Sequence, residues 1–280
     1  FENDIEAAFL AHGYSKGNPK EYDAELALFP AELAAFVQAT QPKVWQYLES
    51  LHKSKTAAAL VDSFAKELDS RGALSVLREG FKCSGKTVKT AYFAPNTTMD
   101  PQAQDRYQAN RLTIVRQVNT KSGAIPDIVL AVNGLPVATL ELKNVMSATR
   151  WTVEDGINQY KYDRDPKEKL YAFKQRCLVH FAVDTEQVFM TTRLEGKDTF
   201  FLPFNLGNNH GAGNPAVEGN VRTSYLWNDV LTRASLLEVI SRFMHLQIEE
   251  KTVATAKGLK HHTKETMIFP RYHQLQAVRE

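Results

Sequence analysis

The sequence predicts a mixed α/β fold: a central sheet flanked by helices, with an extra helical region near the N-terminus. Three patterns support this prediction. The first quarter of the 280 residues repeats apolar side chains at helical spacing, short β-branched runs follow, and a further amphipathic helix separates two groups of predicted strands. An order of helix, strands, helix and strand is typical of α/β domains.

The N-terminal quarter is predicted to be helical. Residues 2–12 place apolar side chains on one face and are followed by a glycine, a common helix stop. Two of the next three helices begin near prolines, which favour the first turn of a helix. These three helices are expected at about 31–40, 43–52 and 55–70.

Short strands are predicted from about residue 73, because apolar and β-branched runs alternate there with turn signals. The expected strands are ALSVL (73–77), TAYF (90–93), RLTIVRQV (111–118), IVLAV (128–132), VATLELK (137–143), LVHFAV (178–183) and QVFMTT (187–192). A helix is expected at about 152–163, between the fifth and sixth of these strands.

The last third of the chain has less regular patterns. Residues 205–220 are rich in glycine and asparagine and predict a loop, whereas 235–247 return to helical spacing. The chain has no N-terminal Met and stops within a helical pattern, so we expect a fragment of a longer protein. The expected organisation is a domain over 1–248 with a helical insertion at about 30–70, a linker over 249–268, and the start of a further domain over 269–280.

Composition limits the classes of function. The 34 Lys plus Arg against 32 Asp plus Glu leave a net charge of +2, so any nucleic-acid site has to be a local patch. The two cysteines, Cys83 and Cys177, lie far apart, which argues against structural zinc and favours a reducing, cytoplasmic compartment. No signal peptide or membrane-spanning apolar run is recognised.

The stretch PDIVLAVNGLPVATLELKN, residues 126–144, is the main candidate for a site. Side chains alternate along a strand, so Glu141 and Lys143 share one face. A three-residue hairpin loop would set Asp127 opposite Glu141. A two-residue Asn-Gly turn is also a strong signal and would shift the pairing by one residue. We favour the first register on chemical grounds.

Two adjacent carboxylates repel unless a cation lies between them, and oxygen ligands suit Mg²⁺. Asp127 and Glu141 would therefore hold a magnesium ion, and Lys143 would stabilise charge developing on a phosphate. The competing interpretation is that Glu141 and Lys143 form an ordinary solvent-facing ion pair, which contributes little.

These residues resemble the PD-(D/E)xK nucleases, whose core is helix, three strands, helix and strand. The resemblance implies that Asp127 and Glu141 bind the metal together with the carbonyl of Leu142, and that Lys143 is catalytic. It also implies an acidic residue on the first helix, for which Glu6 is the candidate and Glu2 a weaker one.

The likeness extends over nearly the whole chain. The segments DGINQYKYDRDP, LVHFAVDTEQVFMTTRL, TFFLPFN, GAGNP, RTSYLWNDVL and FPRYHQLQAV resemble the restriction (HsdR) subunit of type I restriction-modification enzymes. The family's Gln-x-x-x-Tyr element matches here only at Gln159, since Asp163 stands four residues later. Gln159 is thereby implied to contact DNA or to position the lysine.

The resemblance implies a Mg²⁺-dependent endonuclease that cuts double-stranded DNA, with methyltransferase and specificity subunits as partners. Residues 269–280 would begin a superfamily 2 translocase that uses ATP, in which Arg271, Tyr272 and Gln274 would contact adenine in the intact subunit. The alternative from another class is a non-catalytic docking module, in which the helical region at 30–70 grips the motor or the methyltransferase core.

Other patterns are weaker. GFKCSGKT at 80–87 matches a phosphate-binding loop through Lys86 and Thr87, but its flanks do not predict a buried strand and a following helix. Trp45, Trp151 and Trp227 are expected to be packing residues. Basic residues that follow Lys143 are candidate contacts to DNA phosphates: Arg150, Lys161, Arg164, Lys167 and Lys169.

Overall fold

The computed structural model describes residues 1–96, 99–145, 151–209, 211–255 and 258–279, with side chains described outside 251–262. The helices are α1 (Glu2–Ala11), α2 (Pro30–Thr40), α3 (Pro42–His52), α4 (Thr56–Arg71), α5 (Ala73–Glu79), α6 (Pro101–Gln108), α7 (Val153–Asn158), α8 (Arg233–Glu238) and α9 (Tyr272–Arg279). Short 3₁₀ turns occur at Pro19–Glu21 and Lys53–Lys55, and π-helical turns at Gln159–Asp163, Leu226–Val230 and Val239–Phe243.

The strands are β1 (Ser15–Lys16), β2 (Phe81–Cys83), β3 (Lys86–Val88), β4 (Leu112–Arg116), β5 (Ile128–Val132), β6 (Leu135–Leu142), β7 (Val179–Val183), β8 (Val188–Thr191), β9 (Leu202–Pro203), β10 (His245–Thr255) and β11 (Gly258–Ile268). Seven of them form one mixed sheet in the order β1-β4-β5-β6-β7-β8-β9. The pairs β1–β4 and β6–β7 are parallel, and the other neighbours in this sheet are antiparallel.

The predicted mixed α/β class is confirmed. Strands β5, β6 and β7 are buried along their whole length, because the chain covers both faces of the sheet. Helix α7 and its π-helical extension lie in the connection between the parallel strands β6 and β7, as such a crossover requires. Predicted helices at 2–12, 31–40, 43–52 and 55–70 are present within one or two residues.

The hairpin between β5 and β6 closes differently from our preferred prediction. Val132 pairs with Leu135 across a two-residue turn, in which Asn133 and Gly134 have φ values of 50° and 86°. The predicted three-residue loop is therefore wrong. The turn contacts the start of α2, where the Phe29 N–H donates to the Gly134 carbonyl at 2.8 Å.

A β-bulge then restores the predicted pairing. Ala131 faces Pro136, whereas Leu130 faces Ala138, so Val137 is the extra residue on β6. Proline has no N–H to donate to the ladder, and bulges are among the few places where a strand accepts it. The register after the bulge pairs Ile128 with Leu140, and its continuation sets Asp127 opposite Glu141.

Two predicted strands are wrong. Residues 73–77 lie in helix α5, whose buried residues Ala73, Leu74 and Leu77 recur at spacings of three and four. Residues 90–93 form no regular element. Both errors arise from short apolar runs, in which helix and strand periods are difficult to separate.

The segment 80–87 does not have the geometry of a phosphate-binding loop. It forms the small hairpin β2–β3, with Phe81 paired to Val88 and Cys83 to Lys86. No helix begins directly after it in the described chain, so its amides are not arranged at a helix N-terminus. The nucleotide role considered for Lys86 and Thr87 is therefore wrong for this fold.

The C-terminal third contains one unexpected element. Strands β10 and β11 pair in antiparallel fashion over residues 245–268, most of which were expected to be a linker. The residues that follow are not separate from the sheet: the Phe269 ring lies 5.8 Å from the Phe181 ring of β7. The predicted loop at 205–220 is confirmed and contains only isolated bridges among its described residues. None of the described helices is long and apolar enough to cross a membrane.

Candidate active site

Two carboxylates meet where β5 begins and β6 ends. The strands are antiparallel, so Asp127, just before β5, lies beside the last residues of β6. Its Oδ2 accepts a hydrogen bond of 2.7 Å from the backbone N–H of Leu142. This bond fixes the Asp127 side chain next to Glu141, as the predicted register required.

Glu141 is fully buried and forms an ion pair with Arg164. Its Oε1 accepts hydrogen bonds from Arg164 Nε at 2.9 Å and from Nη2 at 2.7 Å. Its Oε2 is buried and has no hydrogen-bond partner among the described residues. An unpaired buried oxygen is costly, so a further ligand at this atom would be stabilising.

The electrostatics of the two carboxylates are linked. Burial raises the pKa of Glu141 to about 7; the Arg164 guanidinium opposes this shift and Asp127 adds to it. Burial also raises the pKa of Asp127, whereas the hydrogen bond from the Leu142 N–H and the charge of Lys143 act to lower it. Both carboxyls thus lie in a site with too little compensating positive charge, which is the environment that a cation stabilises.

Lys143 lies one strand step beyond Glu141 and on the same face. Its backbone N–H donates to the Val183 carbonyl at 2.8 Å, which keeps the chain extended past the end of β6. The half-buried side chain lines a groove of about 400 Å³. The other residues of this groove are Trp151, Asp155, Asn158, Gln159, Tyr162 and Asp163.

A second groove, of about 760 Å³, is also lined by Gln159. Its lining includes Gln159, Lys161 and Tyr162 together with the loop at 122–125. The Gln159 Oε1 is buried without a partner among the described residues. Gln159 thus lines both this groove and the groove that contains Lys143, whereas Lys161 lines only the second groove. Their contacts with DNA stay predictions.

Close packing of α7 against the sheet places these residues. A Cβ at Gly156 would lie 3.3 Å from the Ala182 Cβ and 3.7 Å from the Glu141 Cβ, so glycine lets the helix approach the strands. The N-terminus of the helix is fixed where the Thr152 N–H donates to the Asp155 carboxylate at 2.8 Å. The following π-helical turn then carries Gln159 and leads directly into Arg164.

Arg164 was predicted to contact DNA, and the structure gives its side chain a different partner. The side chain is only 6% exposed because it points inward to Glu141. Lys169 pairs with Asp69 at 2.7 Å, Lys167 is exposed, and Arg150 lies outside the described residues. Sequence reasoning missed the inward orientation, since a run of basic residues usually indicates a solvated face.

Glu2 and Glu6, the two candidate acidic residues of α1, have different surroundings. Glu6 is held by Lys16 at 2.7 Å and lies 3.7 Å from Arg116. Glu2 pairs with Arg116 at 2.5 Å and contributes to the raised pKa of Asp127. The structure thus places Glu2, the weaker candidate, within electrostatic reach of the site, and gives Glu6 two basic neighbours instead.

Whether the residues fit a metal ion depends on the carboxylate pair. No group of three or more His, Cys, Asp or Glu side chains with metal-binding spacing occurs in the described part of the chain. Asp127 and Glu141 nevertheless suit a divalent cation, because Glu141 Oε2 is unpaired and both carboxyls are raised in pKa. The arrangement fits an open two-carboxylate site whose remaining ligands come from solvent, backbone or substrate.

The three residues predicted to contact adenine differ in their exposure to solvent. Tyr272 is buried, with its ring 5.2 Å from the Tyr225 ring. Arg271 and Gln274 are exposed, and the Arg271 N–H donates to the Gln274 side chain at 2.8 Å. Their role in nucleotide binding stays a prediction.

Trp151 departs from its expected packing role. It is 51% exposed and lines the groove beside Lys143, whereas Trp227 is buried and Trp45 half-buried as expected. A tryptophan directly before an N-capping threonine gives no sequence signal of its exposure.

Comparison with known proteins gives a family match and a relative. The model of the family "Type I restriction enzyme R protein N terminus" matches residues 2–199, which include every residue of the carboxylate site. A Methanocaldococcus jannaschii protein, provisionally named a type I restriction enzyme MjaVIIIP endonuclease subunit, is 27% identical over 159 residues. That alignment covers 56% of this chain and 13% of the relative, so the chain spans a small part of the relative's length. The chain belongs to the family of N-terminal regions of type I restriction enzyme R proteins.

Proposed function

We propose that this chain is the Mg²⁺-dependent endonuclease domain of a type I restriction enzyme, with the PD-(D/E)xK fold, and that it cuts double-stranded DNA in the cytoplasm. The observation that carries the proposal is the position of Asp127 beside Glu141, with Lys143 on the same face and open to a groove. Family membership supports it, because the chain matches the N-terminal region of type I restriction enzyme R proteins, and its relative is named an endonuclease subunit.

The residues have separate roles in this proposal. Asp127 and Glu141, with the carbonyl of Leu142, would hold Mg²⁺; Glu6 keeps its predicted acidic role only if it leaves its basic neighbours. A bound magnesium ion supplies polarisation of the phosphate and a more acidic water. Lys143 lines the groove and would stabilise negative charge on the scissile phosphate. Gln159 and Lys161 line the path of the DNA backbone.

The proposed complex has further components outside the described site. Methyltransferase and specificity subunits would provide recognition of the DNA site, and an ATP-driven motor would begin at about residue 269. Arg271 and Gln274, exposed on and before α9, would be available for adenine, with Tyr272 supporting them from the core.

Substitution of the site residues in the complete protein tests the proposal. Asp127→Ala and Lys143→Ala should each lower DNA cleavage by at least about 100-fold, since such groups contribute several kcal/mol to charge stabilisation. ATP hydrolysis should persist in both variants. Lys66→Ala is the matched control, because Lys66 is an exposed lysine on α4 far along the chain from the site.

Unchanged cleavage in Asp127→Ala and Lys143→Ala would overturn the nuclease assignment. Loss of complex assembly in those variants, with an intact fold, would favour the alternative docking module. Calorimetric binding of Mn²⁺ to the wild-type protein but not to Asp127→Ala gives a second measurement that does not depend on activity.

A further inference from the structure

Arg164 joins the segments that carry the two carboxylates. Besides Glu141, its Nη2 donates to the Ile125 carbonyl at 3.3 Å and its Nη1 to the Asp163 carbonyl at 3.4 Å. Ile125 lies two residues before Asp127. One guanidinium therefore connects the end of β6, the chain leading into β5 and the π-helical turn.

The contacts with Glu141 are directed at one oxygen. Nε and Nη2 both donate to Oε1, whereas Oε2 has no partner among the described residues. A planar guanidinium imposes a fixed orientation on the carboxylate that it binds. A carboxylate held in this way cannot exchange its two oxygens freely, so the same oxygen stays available for a ligand.

We propose that Arg164 is a positioning residue, which clamps Oε1 of Glu141 and the chain before Asp127 so that Oε2 of Glu141 and the Asp127 carboxylate form a ready-made metal-binding pair. This inference rests on the proposed nuclease function. It assigns to Arg164 an effect on metal affinity rather than a contact with DNA.

The same contacts of Arg164 are compatible with a role of opposite effect on metal binding. Arg164 could be a cation that occupies the acidic site and competes with the metal. The two roles differ in sign: loss of a positioning residue weakens metal binding, whereas loss of a competing cation strengthens it.

The experiment measures Mn²⁺ binding by calorimetry in the complete, nucleotide-free protein. The binding heat that is lost in Asp127→Asn is the heat of Mn²⁺ binding at this site. Arg164→Lys keeps the charge and removes the fork, and Arg164→Gln removes the charge as well. Arg176→Lys is the matched control, because Arg176 is a fully buried arginine that pairs with Asp69 at 3.0 Å.

We expect both Arg164 variants to bind Mn²⁺ about 10- to 100-fold more weakly, the range typical of groups that orient metal ligands. Cleavage should return when the Mg²⁺ concentration is raised, with little change in the rate at saturation. Arg176→Lys should keep wild-type Mn²⁺ affinity even where its melting temperature falls as much as that of Arg164→Lys.

Unchanged or tighter Mn²⁺ binding in folded Arg164→Lys or Arg164→Gln would overturn the positioning role. If Arg164→Lys does not fold, Arg164→Gln alone decides between weaker and tighter binding. Absence of the Asp127-dependent heat in the wild-type protein would refute the proposed function itself, and the positioning role with it; a normal wild-type signal with unaffected variants refutes only the positioning role.

Discussion

At the scale of single residues, an uncharged hydrogen-bonded group lies next to the charged site. Thr139 precedes Glu141 by two residues on β6 and shares its face. The Thr139 Oγ1 lies 2.7 Å from His180 Nδ1 and 2.8 Å from Tyr160 Oη. All three side chains are buried. Neutral partners satisfy one another there, whereas Glu141 depends on Arg164 for charge.

Burial lowers the pKa of His180 to about 3. The unfolded chain takes up a proton at this residue near pH 6.5, and the folded chain does so only at much lower pH. His180 therefore supports the folded state fully above pH 6.5, and this support is lost as the pH falls towards 3. His180→Gln should reduce the decrease in unfolding free energy between pH 7 and pH 4, as measured by denaturant titration at each pH.

The control for this prediction is His273→Gln, since His273 is exposed on α9. Its pH profile should follow the wild type. A His180→Gln profile as steep as that of the wild type would show that other groups cause the acid sensitivity.

At the scale of elements, the β5–β6 hairpin shows how far sequence can specify the site. The sequence pattern indicated both the shared face of Glu141 and Lys143 and the Asn-Gly turn. The bulge was not predicted, although Pro136 inside a central strand was a signal for one. The prediction thus paired Asp127 with Glu141 correctly although its turn length was wrong. The real turn is one residue shorter than predicted, and the bulge adds one residue to β6, so the two differences cancel.

Other features had no sequence signal. Glu141 precedes α7, and its ion-pair partner Arg164 follows that helix, 23 positions later in the chain. Only the packing of α7 brings the two side chains together. Periodicity likewise failed at 73–77, because the five residues of this apolar run are too few to separate a helix from a strand.

The turn of the hairpin provides a prediction about stability. Gly134 has φ +86°, and a Cβ there would lie 2.5 Å from the Phe29 carbonyl oxygen. Gly85 has φ +83° with open space around it. Gly85→Ala should cost about 1–3 kcal/mol through backbone strain alone. Gly134→Ala should cost at least about 1 kcal/mol more, because it adds a steric clash.

Unfolding in urea measures both free energies. Equal losses for the two variants would mean that the turn moves away from α2 at no cost. In that case the contact between Phe29 and the hairpin would not stabilise the register of β6.

At the scale of the whole molecule, the distribution of charge limits how DNA binds. The net charge is only +2, and Arg164, one of the basic residues near the site, is directed inward. Few cations are therefore left along the grooves beside Gln159. We expect the chain to bind duplex DNA weakly by itself and to depend on the rest of its complex for affinity.

The salt dependence of DNA binding tests this expectation. Each phosphate neutralised contributes about −0.9 to the slope of log affinity against log salt concentration, so two or three contacts predict a slope of about −2 to −3. Lys161→Ala should make this slope shallower by about 1. Lys66→Ala should not alter it. A slope several units steeper would indicate a basic surface elsewhere on the molecule.

The shortness of the two outermost strands has a further consequence. Strand β1 consists of Ser15 and Lys16, and β9 of Leu202 and Pro203. Each margin of the sheet is thus a strand of only two residues, one of them a lysine on one side and a proline on the other. Such margins are poor templates for another polypeptide to join, so the broad sheet can exist at high concentration without recruiting copies of itself into fibrillar aggregates.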